Sequence, residues 1–143
     1  MTSLGSNALR VVLLLAGAFI LFTALNVALG GITTMGWQGD AAFFEVTDES
    51  AFLIHDSHTR FLGGLWAGGG LLFFAAAFDL RRFGSALQVV LAFIVLGGLA
   101  RFTQARPDLL FSADIAGSLA AELIGVPMLW FWISRALRSE RSA

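Results

Sequence analysis

The chain has 143 residues, 57% of them hydrophobic and only 13% charged, and its mean hydropathy of +0.81 is too high for a soluble domain of this size. The net charge is -1, and basic residues cluster only beside apolar segments, which argues against nucleic acid as a partner. Cys is absent, which excludes disulfides, thiolate catalysis, iron-sulfur clusters and thiolate zinc sites. The composition therefore predicts an integral membrane protein.

Four apolar runs predict four transmembrane helices, over residues 10–31, 58–79, 83–102 and 113–135. The predicted fold class is an all-α integral membrane four-helix bundle, built as a single domain over residues 1–143. The first run is longer than the apolar core of a signal peptide, which favours an uncleaved anchor. In the second run, Gly64 and Gly68 have GxxxG spacing, which predicts close packing against another helix.

The segments between the runs contain candidate helix boundaries. The loop over residues 32–50 is acidic and has no basic residue. Thr47 is a candidate N-cap for the second helix and Ser112 for the fourth. Pro127 removes one backbone hydrogen bond and is expected to bend the fourth helix.

The distribution of arginine predicts the orientation of the chain. Three arginines, Arg60, Arg101 and Arg106, fall on one side. The larger group, on the other side, consists of Arg10, Arg81, Arg82, Arg135, Arg138 and Arg141. Because basic residues concentrate on the cytoplasmic side, we expect both termini to be cytoplasmic.

Polar residues from all four runs lie at a similar predicted depth. With the cytoplasmic flank of each run as zero and the rise of an α-helix, the depths are about 24, 28, 28 and 20 Å for Asn26, Arg60, Arg101 and Glu122. Ionisable groups inside a span are costly and usually face a partner or a polar cavity. The four residues are therefore expected to gather in the outer third of the bilayer.

Side-chain direction predicts how these residues pair. Helical Cβ atoms tilt toward the helix N-terminus, so Arg101 and Glu122, on antiparallel runs joined by a short turn, lean toward each other. Arg60 leans toward Asp56, in an i, i+4 pair. Ser118 shares a helical stripe with Glu122. The predicted ligand-binding residues are Asn26, Asp56, Arg60, Arg101, Ser118 and Glu122.

Each of these residues also has a structural interpretation. A buried pair of Arg101 and Glu122 can fix helix order and register. Arg60 can extend to the outer headgroups, and Asn26 can form a hydrogen bond between helices.

Two histidines, His55 and His58, lie three residues apart on one helical face. Two nitrogen ligands are too few for a metal site, so we predict no metal and no cofactor. No nucleophile and base pair can be assembled either, so the sequence does not support an enzyme.

Short motifs surround the charged residues. They are H-x-R at His58 and Arg60 followed by Gly63 and Gly64, G-G-x-x-R at Gly97, Gly98 and Arg101, and A-x-E at Ala120 and Glu122. With four spans and an acidic first loop, the chain resembles small bacterial membrane proteins classed as a domain of unknown function, similar in outline to the DoxX-like four-span proteins. The resemblance implies a four-helix fold in the bacterial inner membrane and no assigned chemistry. DoxX-like proteins are linked to respiratory and thiol-redox complexes, which a chain without Cys could join only as a scaffold or a quinone-proximal subunit.

Three functional hypotheses remain open. In the first, the outer Arg/Glu cluster binds a membrane lipid, a quinone or another small amphiphile. In the second, the chain is a structural or assembly subunit whose ion pair orders the helices and whose lipid-facing surface meets a membrane-protein partner or a second copy. The third, movement of ions or protons, rests on Glu122 alone.

Overall fold

The computed structural model describes residues 3–37 and 45–141, with side chains over residues 7–34 and 45–139. All regular secondary structure in these ranges is helical. Four segments are long and apolar enough to cross a membrane, namely Asn7–Thr34, Glu49–Phe78, Leu80–Gln104 and Ala116–Ser139. The predicted all-α class with four membrane-spanning helices is confirmed, and the chain is a multi-pass membrane protein. The cytoplasmic location of the termini stays a prediction, and residues 38–44 of the predicted acidic loop lie outside the described ranges.

The spans consist of regular and irregular helical pieces. The α-helices are α1 (Ser3–Gly30), α2 (Glu49–Phe78), α3 (Leu80–Ala100), α4 (Pro107–Leu110), α5 (Ala116–Ala120) and α6 (Val126–Arg141). 3₁₀ segments follow α1 and α3, at Gly31–Trp37 and Arg101–Gln104. One π-helical turn, Ala121–Gly125, connects α5 to α6 and is called the π-turn below. The fourth span is therefore a continuous helix with a change of winding near its middle.

The helix starts agree only in part with the predicted caps. Asp48 caps α2 in place of Thr47, because its carboxylate accepts the Ala51 N–H at 3.1 Å. This hydrogen bond lowers the pKa of Asp48 below its ordinary value. The prediction for Ser112 is wrong: the chain first makes a turn, and α5 begins at Ala116 without a side-chain cap.

The π-turn ends two residues before Pro127. Proline has no N–H, and its ring would collide with the carbonyl four residues earlier in a regular α-helix. The Val126 N–H instead bonds to the Ala121 carbonyl, one residue farther back than in an α-helix, so the helix is wider at this point. The distortion expected beside Pro127 therefore takes the form of a π-turn, which includes Glu122.

The chain forms two compact units. One contains Val12–Ala75, hence most of α1 and α2, and is called the α1–α2 unit. The other contains Met1–Val11 and Ala76–Ala143, hence α3 to α6, and is called the α3–α6 unit.

In the α1–α2 unit, glycines of α2 allow close approach to α1. A methyl group on Gly63 would lie 2.5 Å from the backbone nitrogen of Ala28, and one on Gly70 would also be crowded by α1. Around Gly64 and Gly68, by contrast, no atom of α1 lies within 4 Å of such a methyl group. The GxxxG prediction is therefore wrong for packing against α1, which uses Gly63 and Gly70, about two helical turns apart.

In the α3–α6 unit, α3 packs against α6 and the π-turn. Leu87 and Leu91 of α3 and Ile133 of α6 are completely buried. Beside them, the Gln88 side-chain amide donates a hydrogen bond to the Ser134 hydroxyl at 2.7 Å. This polar link between α3 and α6 was not predicted, although isolated polar residues in apolar runs are its expected sign.

Candidate functional site

Arg101 and Glu122 form a bidentate ion pair in the α3–α6 unit. Arg101 Nε donates to Glu122 Oε2 at 2.8 Å, and Arg101 Nη2 donates to Glu122 Oε1 at 2.7 Å. The two side chains are 38% and 19% exposed, respectively. The contact predicted from the lean of the two side chains is confirmed, whereas its role in ligand binding stays a prediction.

The local fold explains why the two charges meet. Arg101 directly follows α3, and Glu122 lies in the π-turn. One turn before Arg101, a methyl group on Gly98 would lie 3.0 Å from Glu122 Cβ and 2.9 Å from Leu123 Cδ2. The missing side chain at Gly98 thus allows the π-turn to approach α3 closely enough for the carboxylate to reach the guanidinium group.

Three small residues lie within about one helical turn of the two charged residues in sequence. Gly97 on α3 and Gly125 in the π-turn have open space where a Cβ atom would lie. Ser118, one turn before Glu122, is exposed on α5. Glu122 accepts hydrogen bonds from Arg101 Nε and Nη2. Arg101 Nη1 has no hydrogen-bond partner within the described ranges. The pair is therefore packed against Gly98 and remains partly exposed.

Asp56 and Arg60 form a second ion pair, in the α1–α2 unit. Arg60 Nε donates to Asp56 Oδ2 at 2.6 Å, and Arg60 Nη1 donates to the Leu29 carbonyl. Asp56 Oδ1 accepts the Ile32 N–H at 2.8 Å. The predicted i, i+4 pair is confirmed, and it joins α2 to the end of α1 and to the following 3₁₀ segment.

Gly31 lies beside the second pair and was not predicted from the sequence. Its φ of 72° is left-handed, and a Cβ atom there would collide with the Asp56 carboxylate and lie 2.9 Å from Arg60 Nη2. A glycine directly after a helix is the usual sign of a left-handed cap, so a sequence signal existed.

Replacement of Gly31 is expected to destabilise the fold. Gly31→Ala should lower the free energy of unfolding by at least about 1–2 kcal/mol, because a residue with a Cβ is strained in this conformation. Thermal unfolding in detergent, followed by circular dichroism, measures the loss. The control is Gly117→Ala, at a position on α5 with open space around it. Equal losses in the two variants would contradict the role given to Gly31.

Asn26 takes no part in the Asp56–Arg60 pair of its own unit. It is exposed on α1, where it borders an open groove of about 490 Å³ lined by Phe22, Leu25, Asn26, Leu29 and Gly30. Its backbone carbonyl accepts the Thr34 hydroxyl at 3.0 Å, but its side-chain amide has no hydrogen-bond partner in the described part of the chain. The predicted hydrogen bond from Asn26 to another helix is therefore not found within these ranges. The gathering of all the predicted residues at one depth stays a prediction.

A third ion pair lies outside the spans and provides a comparison for the first. Arg106 and Asp108 are joined by contacts of 3.0 and 2.6 Å, and their side chains are 65% and 64% exposed. The interaction lowers the pKa of Asp108 and raises the pKa of Arg106. Exposed pairs of this kind contribute little to stability.

A family model described as Domain of unknown function (DUF4345) matches residues 8–133 of the chain. The chain belongs to the DUF4345 family. The matched region includes Asp56, Arg60, Arg101 and Glu122, so both membrane ion pairs lie in the DUF4345 domain. Comparisons with curated proteins and with solved structures give no match. Membership of a domain-of-unknown-function family is confirmed, whereas the DoxX-like likeness and the bacterial inner membrane stay predictions.

Proposed function

We propose that this DUF4345 protein binds the polar headgroup of a lipid, a quinone or another small amphiphile at the Arg101–Glu122 pair. The observation that supports this proposal is the partial exposure of a bidentate ion pair on membrane-spanning segments. Charged groups are costly inside a bilayer, even when they are paired. A ligand oxygen that accepts a hydrogen bond from Arg101 Nη1 would reduce this cost.

The surroundings of the pair suit an amphiphile. Gly97, Gly125 and Ser118, each about one helical turn from a charged residue in sequence, are small, and the Ser118 hydroxyl adds a polar group. Phe93, one turn before Gly97 on α3, is 64% exposed and offers an apolar surface for a tail. The free donors on Arg101 match a carbonyl, ester, hydroxyl or phosphoryl oxygen. The DoxX-like outline supports a location in the bacterial inner membrane, where lipids and quinones carry such groups.

Mass spectrometry of gently purified protein tests the proposal. We expect a stoichiometric amphiphile on the unmodified protein and its loss from Arg101→Ala. Arg106→Ala is the matched control, because Arg106 also has a bidentate carboxylate partner but lies outside the spans. A ligand that is absent from all three proteins, or that Arg101→Ala retains in full, would contradict the proposal.

A structural or assembly subunit is the second candidate function. It is favoured by the engagement of both Glu122 oxygens with Arg101, which suits a contact that only orders α3 against the π-turn. Exchanging the two residues, by Arg101→Glu with Glu122→Arg, separates the candidates. A purely structural pair should recover stability, with no amphiphile on either protein. A binding site should lose its ligand, because the guanidinium group moves from α3 to the π-turn.

A further inference from the structure

The exposed surface of α1 carries a stripe with heptad spacing. Its members follow one another at steps of four, three, four and three residues, and are Leu15, Phe19, Phe22, Asn26 and Leu29. The four apolar members are 67%, 64%, 57% and 77% exposed, in chain order. Alternating steps of four and three keep side chains on one face and allow two helices to pack side by side, in membranes as in water. This stripe is called the α1 seam below.

The Asn26 side chain in the α1 seam needs a hydrogen-bond partner. Its amide lies inside the first span and is exposed, without a hydrogen-bond partner in residues 3–37 and 45–141. A polar group is costly in hydrocarbon unless it is hydrogen-bonded. An asparagine amide has both donors and an acceptor, so two such side chains can satisfy each other.

We propose that the α1 seam is the interface of a homodimer, in which Asn26 pairs with Asn26 of a second copy. Two copies inserted in the same orientation, and related by a two-fold axis along the membrane normal, present the same surface to each other. Their α1 helices then run parallel, with equal residues at equal depth. A single Asn in a heptad seam selects this parallel, in-register pairing. An unrelated helix would need its own polar residue at this depth, whereas a second copy supplies one by symmetry.

The absence of Cys from the natural chain permits a direct test by single-cysteine cross-linking in native membranes. Phe19→Cys lies in the α1 seam, and Leu71→Cys on α2 is the matched control, because the two native side chains are 64% and 61% exposed. Mild oxidation should convert most of the Phe19→Cys protein to a covalent dimer and little of the Leu71→Cys protein. Equal cross-linking of the two variants, or none at Phe19, would overturn the proposal.

The role of Asn26 is tested by energy transfer between labelled copies of the full chain in lipid vesicles. Asn26→Leu should raise the dimer dissociation constant about 3- to 30-fold, the range measured for hydrogen bonds between membrane helices. Asn26→Gln keeps the amide and should have the smaller effect. Asn26 is exposed, so both variants should keep the helical circular dichroism spectrum of the parent protein. Equal dissociation constants for the parent and Asn26→Leu would overturn the pairing, and a monomeric parent would overturn the dimer.

Discussion

Arg101→Ala and Glu122→Ala should each lower the free energy of unfolding by about 2–4 kcal/mol, because either change leaves an uncompensated charge on a membrane-spanning segment. We expect the loss to lie below the upper end of the range for buried pairs, because 38% of the Arg101 side chain is exposed. Unfolding in mixed micelles with increasing SDS, followed by far-UV circular dichroism, measures the difference.

A double-mutant cycle then isolates the contact itself. If the pair is the source of the loss, the double alanine variant should cost less than the sum of the single variants. The matched comparison is Arg106→Ala and Asp108→Ala, which break an equally short bidentate pair in water and should change stability little. Similar losses of unfolding free energy at the two pairs would contradict the expectation that a charge left unpaired in a membrane span costs more than one outside it.

Gly63→Ala should destabilise the protein by about 1–3 kcal/mol, whereas Gly64→Ala should not destabilise it. The new methyl group at Gly63 would lie 2.5 Å from the Ala28 nitrogen and 2.9 Å from the Ala28 Cα, so α1 and α2 would have to move apart. The methyl group at Gly64 meets open space. The same unfolding titration in SDS measures both variants.

The adjacent glycines control for each other. Both substitutions give the same gain in helix propensity and the same added volume, so their difference reports packing against α1. A loss at Gly64 with none at Gly63 would mean that α2 packs against α1 with a face rotated by about 100°, in disagreement with the structure.

The contact between Arg101 and Glu122 could be predicted because few geometric choices were open. A short turn makes their helices antiparallel, and the tilt of Cβ atoms determines the lean of each side chain. The pairing of Asp56 with Arg60 followed from helical spacing alone. Both contacts follow from helix direction, Cβ tilt and residue spacing, which can be derived from the sequence.

The packing face of α2 could not be predicted in the same way. Gly63 and Gly64 are neighbours in sequence but point about 100° apart around the helix. In a soluble helix, polar residues would mark the outer face, but here both faces are apolar, because lipid is as apolar as the helix interface. The GxxxG spacing therefore identified a smooth surface without showing whether another part of the chain covers it.

The π-turn was also beyond prediction. Pro127 indicates that one backbone hydrogen bond is lost, but a kink, a gentle bend or a wider turn can each accommodate that loss. The packing of Gly98 against Glu122 is a tertiary contact, which cannot be predicted from helical periodicity. A helical wheel drawn with one constant angle through this span therefore misplaces the residues beyond Ala121.

The π-turn has a consequence for changes in the length of the fourth span. A π-helical turn holds about one residue more than an α-helical turn, so it corresponds to a single-residue insertion in a regular helix. Deleting one residue between Glu122 and Pro127 would restore regular winding with little rotation of the two halves, because four α-helical steps of about 100° turn the chain about as far as five wider π-helical steps. Such a deletion should therefore keep both the Arg101–Glu122 pair and the Gln88–Ser134 hydrogen bond. The π-turn thus absorbs one extra residue without changing which face of α6 packs against α3.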